Sequence, residues 1–183
     1  MFDRRSLAAA IAAATLLAGS VTPAWADAAS YIRTFFDATI AAPEPDTDCR
    51  RFAPLARFAA GQHWRQYDAT DRTSFDTGFC GLVHDALGRL KHRYPDLALN
   101  VLDSHAGPRG MAWVRSKARA GGEDWPVDWL VGDPDGSPYL ADLKIMGVSL
   151  AIMLRSLAVT VPNSQPATVI KPWRHALDLA LPQ

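Results

Sequence analysis

Residues 98–145 read ALNVLDSHAGPRGMAWVRSKARAGGEDWPVDWLVGDPDGSPYLADLKI, and this stretch decides the fold. It contains four short runs of strand-like composition, which predict strands at Ala98–Leu102, Met111–Ala118, Trp125–Val131 and Tyr139–Ile145. The turn signals between them are Gly107-Pro108, Gly121-Gly122 and Asp133-Pro134-Asp135-Gly136. Because the runs follow one another so closely, they predict an antiparallel meander in which each strand pairs with the next.

Helical patterns lie on both sides of this stretch. Before it, apolar spacing predicts helices over residues 28–41, 49–60 and 69–92. After it, an amphipathic helix is predicted from Leu150 to Val161, and a short helix at Trp173–Leu181 closes the chain. The order predicts an α+β fold, a curved antiparallel sheet of about four to five strands with helices packed on one face.

The first 26 residues have the pattern of a secretory signal peptide. Arg4-Arg5 stand before an apolar run of about 11 residues, Leu7–Leu17, and Ala24-Trp25-Ala26 is a cleavage pattern. The run is too short for a membrane span, which needs about 20 residues. We therefore expect cleavage between Ala26 and Asp27 and a mature single domain of residues 27–183 outside the cytoplasm.

Export does not imply a lipid anchor here. The segment Leu17-Ala18-Gly19-Ser20 is similar to a lipoprotein cleavage box, but Ser20 stands where the acylated cysteine must be. In an oxidising compartment the two cysteines, Cys49 and Cys80, form a candidate disulfide, and the alternative is two buried thiols. The 19 basic residues equal the 19 acidic ones, so no basic field favours a nucleic-acid partner.

The motifs that could carry chemistry are incomplete. The five histidines form no metal-ligand spacing, and Asp133–Gly136 lacks the spacing of a calcium loop, so no metal or cofactor is expected. Gly147-Val148-Ser149-Leu150-Ala151 is similar to a nucleophile elbow, but Ala151 replaces its second glycine and no acid lies between Ser149 and His175. We expect Gly147 to make a turn, Ser149 to cap a helix, and the chain to have no catalytic residue.

Asp142 lies in an apolar strand, and Arg155 lies on the helix that follows. Because a carboxylate buried without a partner is costly, we expect the two to form a structural pair. The apolar faces of the last two strands and of that helix provide ample surface for burial. From the residues alone, this surface can form either a filled core or the lining of a hollow.

Two segments resemble the MlaC family, also known as the toluene-tolerance Ttg2 family. Asp142–Leu150 followed by Arg155 is similar to the family's D-v-x-x-x-G-v-S-l…R element. Phe58–Trp64 followed by Arg72, Phe75 and Phe79 resembles its a-l-G-x-x-W…R-x-x-F-x-x-x-F segment. The likeness extends from about residue 49 to 160. A related branch of the family is associated with hopanoid synthesis.

The resemblance implies an NTF2-like fold around an apolar cavity that holds lipid acyl chains, with no catalytic role. It further implies a carrier in the periplasm, with an inner-membrane ABC transporter complex and an outer-membrane lipoprotein complex as partners. The cargo is phospholipid or a related lipid. On this basis the expected lipid-binding residues are Phe75, Phe79, Val127, Trp129, Val131, Tyr139, Ala141, Leu143, Val148, Leu150, Met153 and Leu154.

Two alternatives remain at this point. One is an enzyme on the same scaffold, with Asp142 or Tyr139 as the pocket acid or base. The other is an adaptor that binds envelope proteins and no lipid. A small polar pocket with a carboxylate inside favours the enzyme, and a shallow surface without a cavity favours the adaptor.

Overall fold

The computed structural model describes residues 24–41, 51–133, 136–162 and 164–180. Four helices come first: α1 (Ala24–Ala41), α2 (Ala53–Ala60), α3 (Gln62–Gln66) and α4 (Ala69–Arg93). Five strands follow: β1 (Ala98–Ala106), β2 (Ala112–Ala120), β3 (Glu123–Gly132), β4 (Tyr139–Ile145) and β5 (Val148–Ser149). Two helices close the described chain: α5 (Leu150–Val159) and α6 (Pro166–Ala180).

The strands form one antiparallel sheet in the order β1-β2-β3-β4-β5, so the predicted α+β class and meander are confirmed. The first three strands extend beyond their predicted ends. Helix α3 was not predicted, and α6 begins seven residues before the predicted Trp173. Its first residue, Pro166, lies where proline suits a helix start, since the first-turn N–H groups have no acceptor within the helix.

Two predictions about the N-terminal part of the chain involve residues that the structure does not describe. Helix α1 begins at Ala24, so the predicted cleavage site after Ala26 lies in its first turn. Residues 1–23 are not described, and the signal peptide stays a prediction. Cys80 is disulfide-bonded, but Cys49 lies outside the described residues, so their pairing also stays a prediction.

The turn between β2 and β3 is hydrogen-bonded to a carboxylate from the loop between α4 and β1. Gly121 and Gly122 have φ angles of +62° and +81°, which side chains rarely adopt. Their backbone N–H groups donate to the Asp96 carboxylate over 3.1 and 3.0 Å. These two hydrogen bonds lower the pKa of Asp96, because they stabilise the charged form of its carboxylate.

Two bulges change which side chains face inward. Leu102 is the extra residue of β1, and Ala141 is the extra residue of β4, where Val131 pairs with Leu140 but Leu130 pairs with Asp142. A bulge bends the strand and inverts the alternation of its side chains beyond that point. In β4 it places Leu140 on the inner face, where it is 2% exposed.

The helices cover the inner face of the sheet in two tiers. Helix α1 packs on β1 and β2, and helices α2 and α5 pack on β4. Helix α4 packs on α6 and α1, further from the sheet. The outer face carries exposed ion pairs such as Arg115–Asp103 and Arg119–Asp124, which contribute little to stability.

Trp173 fastens α6 to the rest of the fold. Its side chain is completely buried, and its Nε1–H donates to the Leu154 carbonyl of α5 over 2.7 Å. Its ring makes edge contacts with Phe75 and Phe79, at centroid distances of 5.6 and 5.7 Å. This burial holds α6 in place although Pro172, inside the helix, removes one backbone donor.

Gly61 and Arg155, which belong to the two resembling segments, meet in space. Gly61 ends α2 with φ +60° and ψ −115°. The Arg155 guanidinium lies 3.4 Å from where a Cβ at Gly61 would be, and it donates to the Phe58 carbonyl over 2.8 Å. Arg155 also stacks over the Phe58 ring at 5.0 Å. The pair therefore joins the end of α2 to α5.

We expect Gly61→Ala to destabilise the protein by about 1–3 kcal/mol, because alanine is strained at this φ and ψ and its Cβ presses on Arg155. Gly81→Ala is the matched control, because Gly81 lies inside α4 and an added Cβ there would meet no atom within 4 Å. It should stabilise the chain by about 0.5–1 kcal/mol. Urea unfolding measures both, and equal effects of the same sign would refute the argument.

Candidate functional site

An apolar cavity of about 160 Å³ lies between the inner face of the sheet and the helices. Its walls are formed by the helices α1, α2, α4, α5 and α6 and by the strands β3 and β4. The lining residues are Phe35, Phe36, Thr39, Phe52, Leu55, Phe79, Val83, Ala86, Leu87, Leu90, Trp129, Leu140, Leu143, Ile145, Leu150 and Leu177.

The polar atoms of this lining are bonded within the protein. The Thr39 hydroxyl donates to the Phe35 carbonyl over 2.7 Å, one turn earlier in α1. The Trp129 Nε1–H donates to the Ser116 hydroxyl over 2.9 Å, which donates in turn to the Val127 carbonyl over 2.7 Å. The cavity therefore offers methyl, methylene and aromatic surface, which suits a hydrocarbon ligand.

Four of the predicted lining residues face this cavity: Phe79, Trp129, Leu143 and Leu150. Others are placed in the filled core, where Phe75, Val127 and Leu154 are at most 5% exposed. Met153 is half-buried against the core. The same apolar stripes thus supply both a filled core and a hollow, and whether any of these residues binds lipid stays a prediction.

Three of the predicted lining residues, Tyr139, Ala141 and Val148, do not line the cavity. Because of the bulge at Ala141, Tyr139 and Ala141 do not line it, and Leu140 does. The Tyr139 ring lies instead over Gly132, where an added Cβ would be 2.3 Å from it. Val148 is 61% exposed in the short strand β5.

Val131 lines a different pocket, of about 300 Å³, near the start of α1. That pocket also includes Asp27, Met111 and Asp133, so its walls are partly polar. It lies beside the turn between β1 and β2 and does not share a lining residue with the apolar cavity.

Most cavity residues that the sequence interpretation missed come from helices. Phe35 and Phe36 of α1 and Val83, Leu87 and Leu90 of α4 lie on apolar stripes that predict burial. Their apolar spacing was visible, but spacing does not tell a residue that packs from one that borders a space. Leu177 of α6 was missed for the same reason.

The expected pair of Asp142 and Arg155 is wrong: both side chains are described and each has other partners. Asp142 accepts from the backbone N–H groups of Leu143 and Ala151 over 2.8 and 3.1 Å, and from the Ser149 hydroxyl over 2.7 Å. Ser149 and Ala151, at the start of α5, supply two of these three donors, and a helix N-terminus favours a negative charge. Arg155 bonds to the Phe58 carbonyl.

Ser149 has the predicted capping role. Its hydroxyl accepts from the Ile152 N–H over 3.1 Å at the start of α5, and Gly147 takes the turn with φ +81°. Asp142 and Ser149 therefore form one capping network. Neither group, and neither Tyr139 nor any histidine, lines the apolar cavity.

Two other ionisable side chains, those of His63 and Tyr67, are buried. His63 is 3% exposed and is bonded to the Ser164 hydroxyl and the Ala158 carbonyl, each at 3.0 Å. Burial and, second, the charge of Asp71 raise the pKa of Tyr67 to about 12, so its hydroxyl stays protonated near neutral pH. Within the described ranges, no group of three or more His, Cys, Asp or Glu side chains could hold a metal ion.

No helix among the residues that the structure describes is long and apolar enough to cross a bilayer. A search of curated proteins gives no significant sequence match to this chain. Among solved structures, the fold matches a phospholipid-binding protein from Ralstonia solanacearum, solved in complex with a phospholipid, with a TM-score of 0.60. The two chains are 19% identical, and the match covers 84% of this chain and 98% of the other, which shows a shared fold.

The sequence itself places the chain in a family. The family model described as MlaC protein matches residues 44–174, the region that contains both resembling segments, the sheet and most of the helices. Because this match spans well over half of the 183 residues, the chain belongs to the MlaC protein family.

Proposed function

We propose that this protein is a periplasmic lipid carrier that holds acyl chains of a phospholipid or related lipid in the apolar cavity. The observation that carries the proposal is the cavity lining, in which the polar atoms of Thr39 and Trp129 are bonded within the protein. The shared fold with a phospholipid-binding protein that was solved with its lipid supports the same function.

The energetic need for such a carrier follows from the cargo. Each methylene exposed to water costs about 0.8 kcal/mol, so a diacyl lipid crosses an aqueous space slowly unless its chains are shielded. An apolar cavity removes this barrier without any chemistry. In the same proposal, the carrier exchanges lipid with an inner-membrane ABC transporter complex and an outer-membrane lipoprotein complex.

The cavity must widen to hold a whole lipid. Its volume of about 160 Å³ is below the roughly 300–1,000 Å³ of typical ligand pockets. Leucine, valine and phenylalanine side chains from α1, α4 and α6 form much of its wall, and α4 and α6 lie in the tier further from the sheet. We propose that loading moves this tier outward while the sheet keeps its shape.

A transfer assay tests the carrier function. Donor vesicles that contain a fluorescent phospholipid are mixed with unlabelled acceptor vesicles, with and without the protein in its mature form. We expect the transfer rate to rise in proportion to protein concentration. A rate that does not change with protein would argue for the adaptor, which binds envelope proteins and no lipid.

A further inference from the structure

A charged groove of about 600 Å³ adjoins the apolar cavity. It runs between the last turn of α1 and the second half of α4, and it shares Thr39 and Leu87 with the cavity lining. These two residues therefore lie at the border between the cavity and the groove. The two spaces differ in chemistry, since the cavity is apolar and the groove is lined by ionisable side chains of α4.

Nitrogen-bearing side chains dominate the groove. His84, Arg89, Lys91 and His92 line it, with Asp85 as the one carboxylate among its described lining residues. Asp85 is paired with Arg174 over 2.6 Å, so its charge is compensated from α6. Lys91 donates to the carbonyls of Pro95 and Leu97 over 3.1 and 3.3 Å. Lys91 also lies in the last turn of α4, where a cation offsets the negative end of the helix.

Arg89 is the cation that an incoming anion can reach most readily. It pairs with Asp178 of α6, and the two side chains are 43% and 42% exposed. Exposed pairs of this kind contribute little to stability, so a second anion competes with Asp178 at low cost. A planar guanidinium also matches the oxygens of a phosphate better than it matches a single carboxylate oxygen.

We propose that this groove is the headgroup subsite of the carrier and that it receives a phosphate ester. The phosphate lies against Arg89, with Lys91 nearby, while the acyl chains enter the cavity past Thr39 and Leu87. The inference rests on the proposed lipid-carrier function and adds the part of the lipid that is recognised. The same chemistry could recognise free phosphate, so the experiment separates the two sources.

Competitive loading tests the subsite. The mature protein is incubated with vesicles that contain equal amounts of phosphatidylglycerol and of diacylglycerol with the same chains, and native mass spectrometry measures the bound ratio. We expect wild type to prefer the phosphate-bearing lipid and Arg89→Gln to lower this preference about tenfold. Asp178→Asn should raise the preference, because Arg89 loses its competing partner.

The control is Arg119→Gln, which removes the ion pair of two partly exposed side chains, Arg119 and Asp124, on the outer face of the sheet. It should leave the ratio unchanged. Normal loading with the wild-type ratio in both Arg89→Gln and Asp178→Asn would overturn the headgroup subsite while the carrier function stands. Wild type that takes up neither lipid would overturn both.

Free phosphate forms the last arm. Inorganic phosphate is titrated calorimetrically into delipidated wild type and Arg89→Gln. We expect no binding at concentrations far above those at which lipid binds, because the acyl chains supply most of the affinity. Tight binding that Arg89→Gln removes, without any lipid preference, would make the groove a free-anion site and refute the proposal.

Discussion

Leu150→Trp is expected to abolish most lipid binding while the protein stays folded. Leu150 lines the cavity at the start of α5, and an indole there occupies much of the roughly 160 Å³. Excluding three methylenes from the cavity costs about 2.4 kcal/mol, which weakens binding roughly 50-fold. Solvent extraction and mass spectrometry measure the lipid retained per protein chain.

Two further variants make this result interpretable. Val148→Trp adds the same side chain two residues earlier, at a position that is 61% exposed and outside the cavity, and it should retain the wild-type lipid content. Leu143→Trp fills the same cavity from β4 and should reproduce the loss if Leu150→Trp misfolds. Equal lipid content in all three variants would contradict the assigned lining.

Trp173→Ala is expected to destabilise the fold by about 3–5 kcal/mol, a large share of the stability of a typical domain. The side chain is fully buried between α4 and α5, where it contacts Phe75 and Phe79 and donates to the Leu154 carbonyl. Its removal leaves a hole at the junction of three helices. Urea unfolding followed by circular dichroism measures the loss.

A milder variant and a neutral one bracket this effect. Trp173→Phe keeps an aromatic ring and loses the hydrogen bond to Leu154, so it should cost less than the alanine variant and remains measurable if that variant does not fold. His175→Ala changes an exposed residue of the same helix and should stay within about 0.5 kcal/mol of wild type. A loss below 1 kcal/mol for Trp173→Ala would show that α6 is not anchored by this residue.

The fold class could be predicted from the sequence because its signals are local. Glycine pairs and proline mark the turns, and the order of helical and strand patterns implies the meander with helices around it. The N-cap role of Ser149 was predicted for the same reason, since a helix start needs a side-chain acceptor within a few residues.

The cavity lining could be predicted only in part, because it depends on register and on packing. In Tyr139–Ile145 the first three residues are all apolar, so the pattern does not mark Ala141 as an unpaired residue. That one extra residue puts Leu140 on the inner face and removes Tyr139 and Ala141 from the lining. A single slip of this kind inverts every assignment beyond it.

Helical residues were harder to divide because core and cavity draw on the same stripe. Phe75 and Phe79 lie one turn apart on α4 and both contact Trp173, yet Phe79 lines the cavity and Phe75 does not. The distinction depends on where α1 and the sheet approach α4. Likewise, the partner of Asp142 depended on backbone donors at the start of α5, which charge alone does not reveal.

The central claim is that the apolar cavity holds lipid, and the most direct test is to extract the wild-type protein. The mature chain, purified from the envelope without detergent, is treated with organic solvent and the extract is analysed by mass spectrometry. We expect a phospholipid or related lipid in an amount approaching one molecule per chain. An extract without lipid, from protein that also takes up none from vesicles, would contradict the claim.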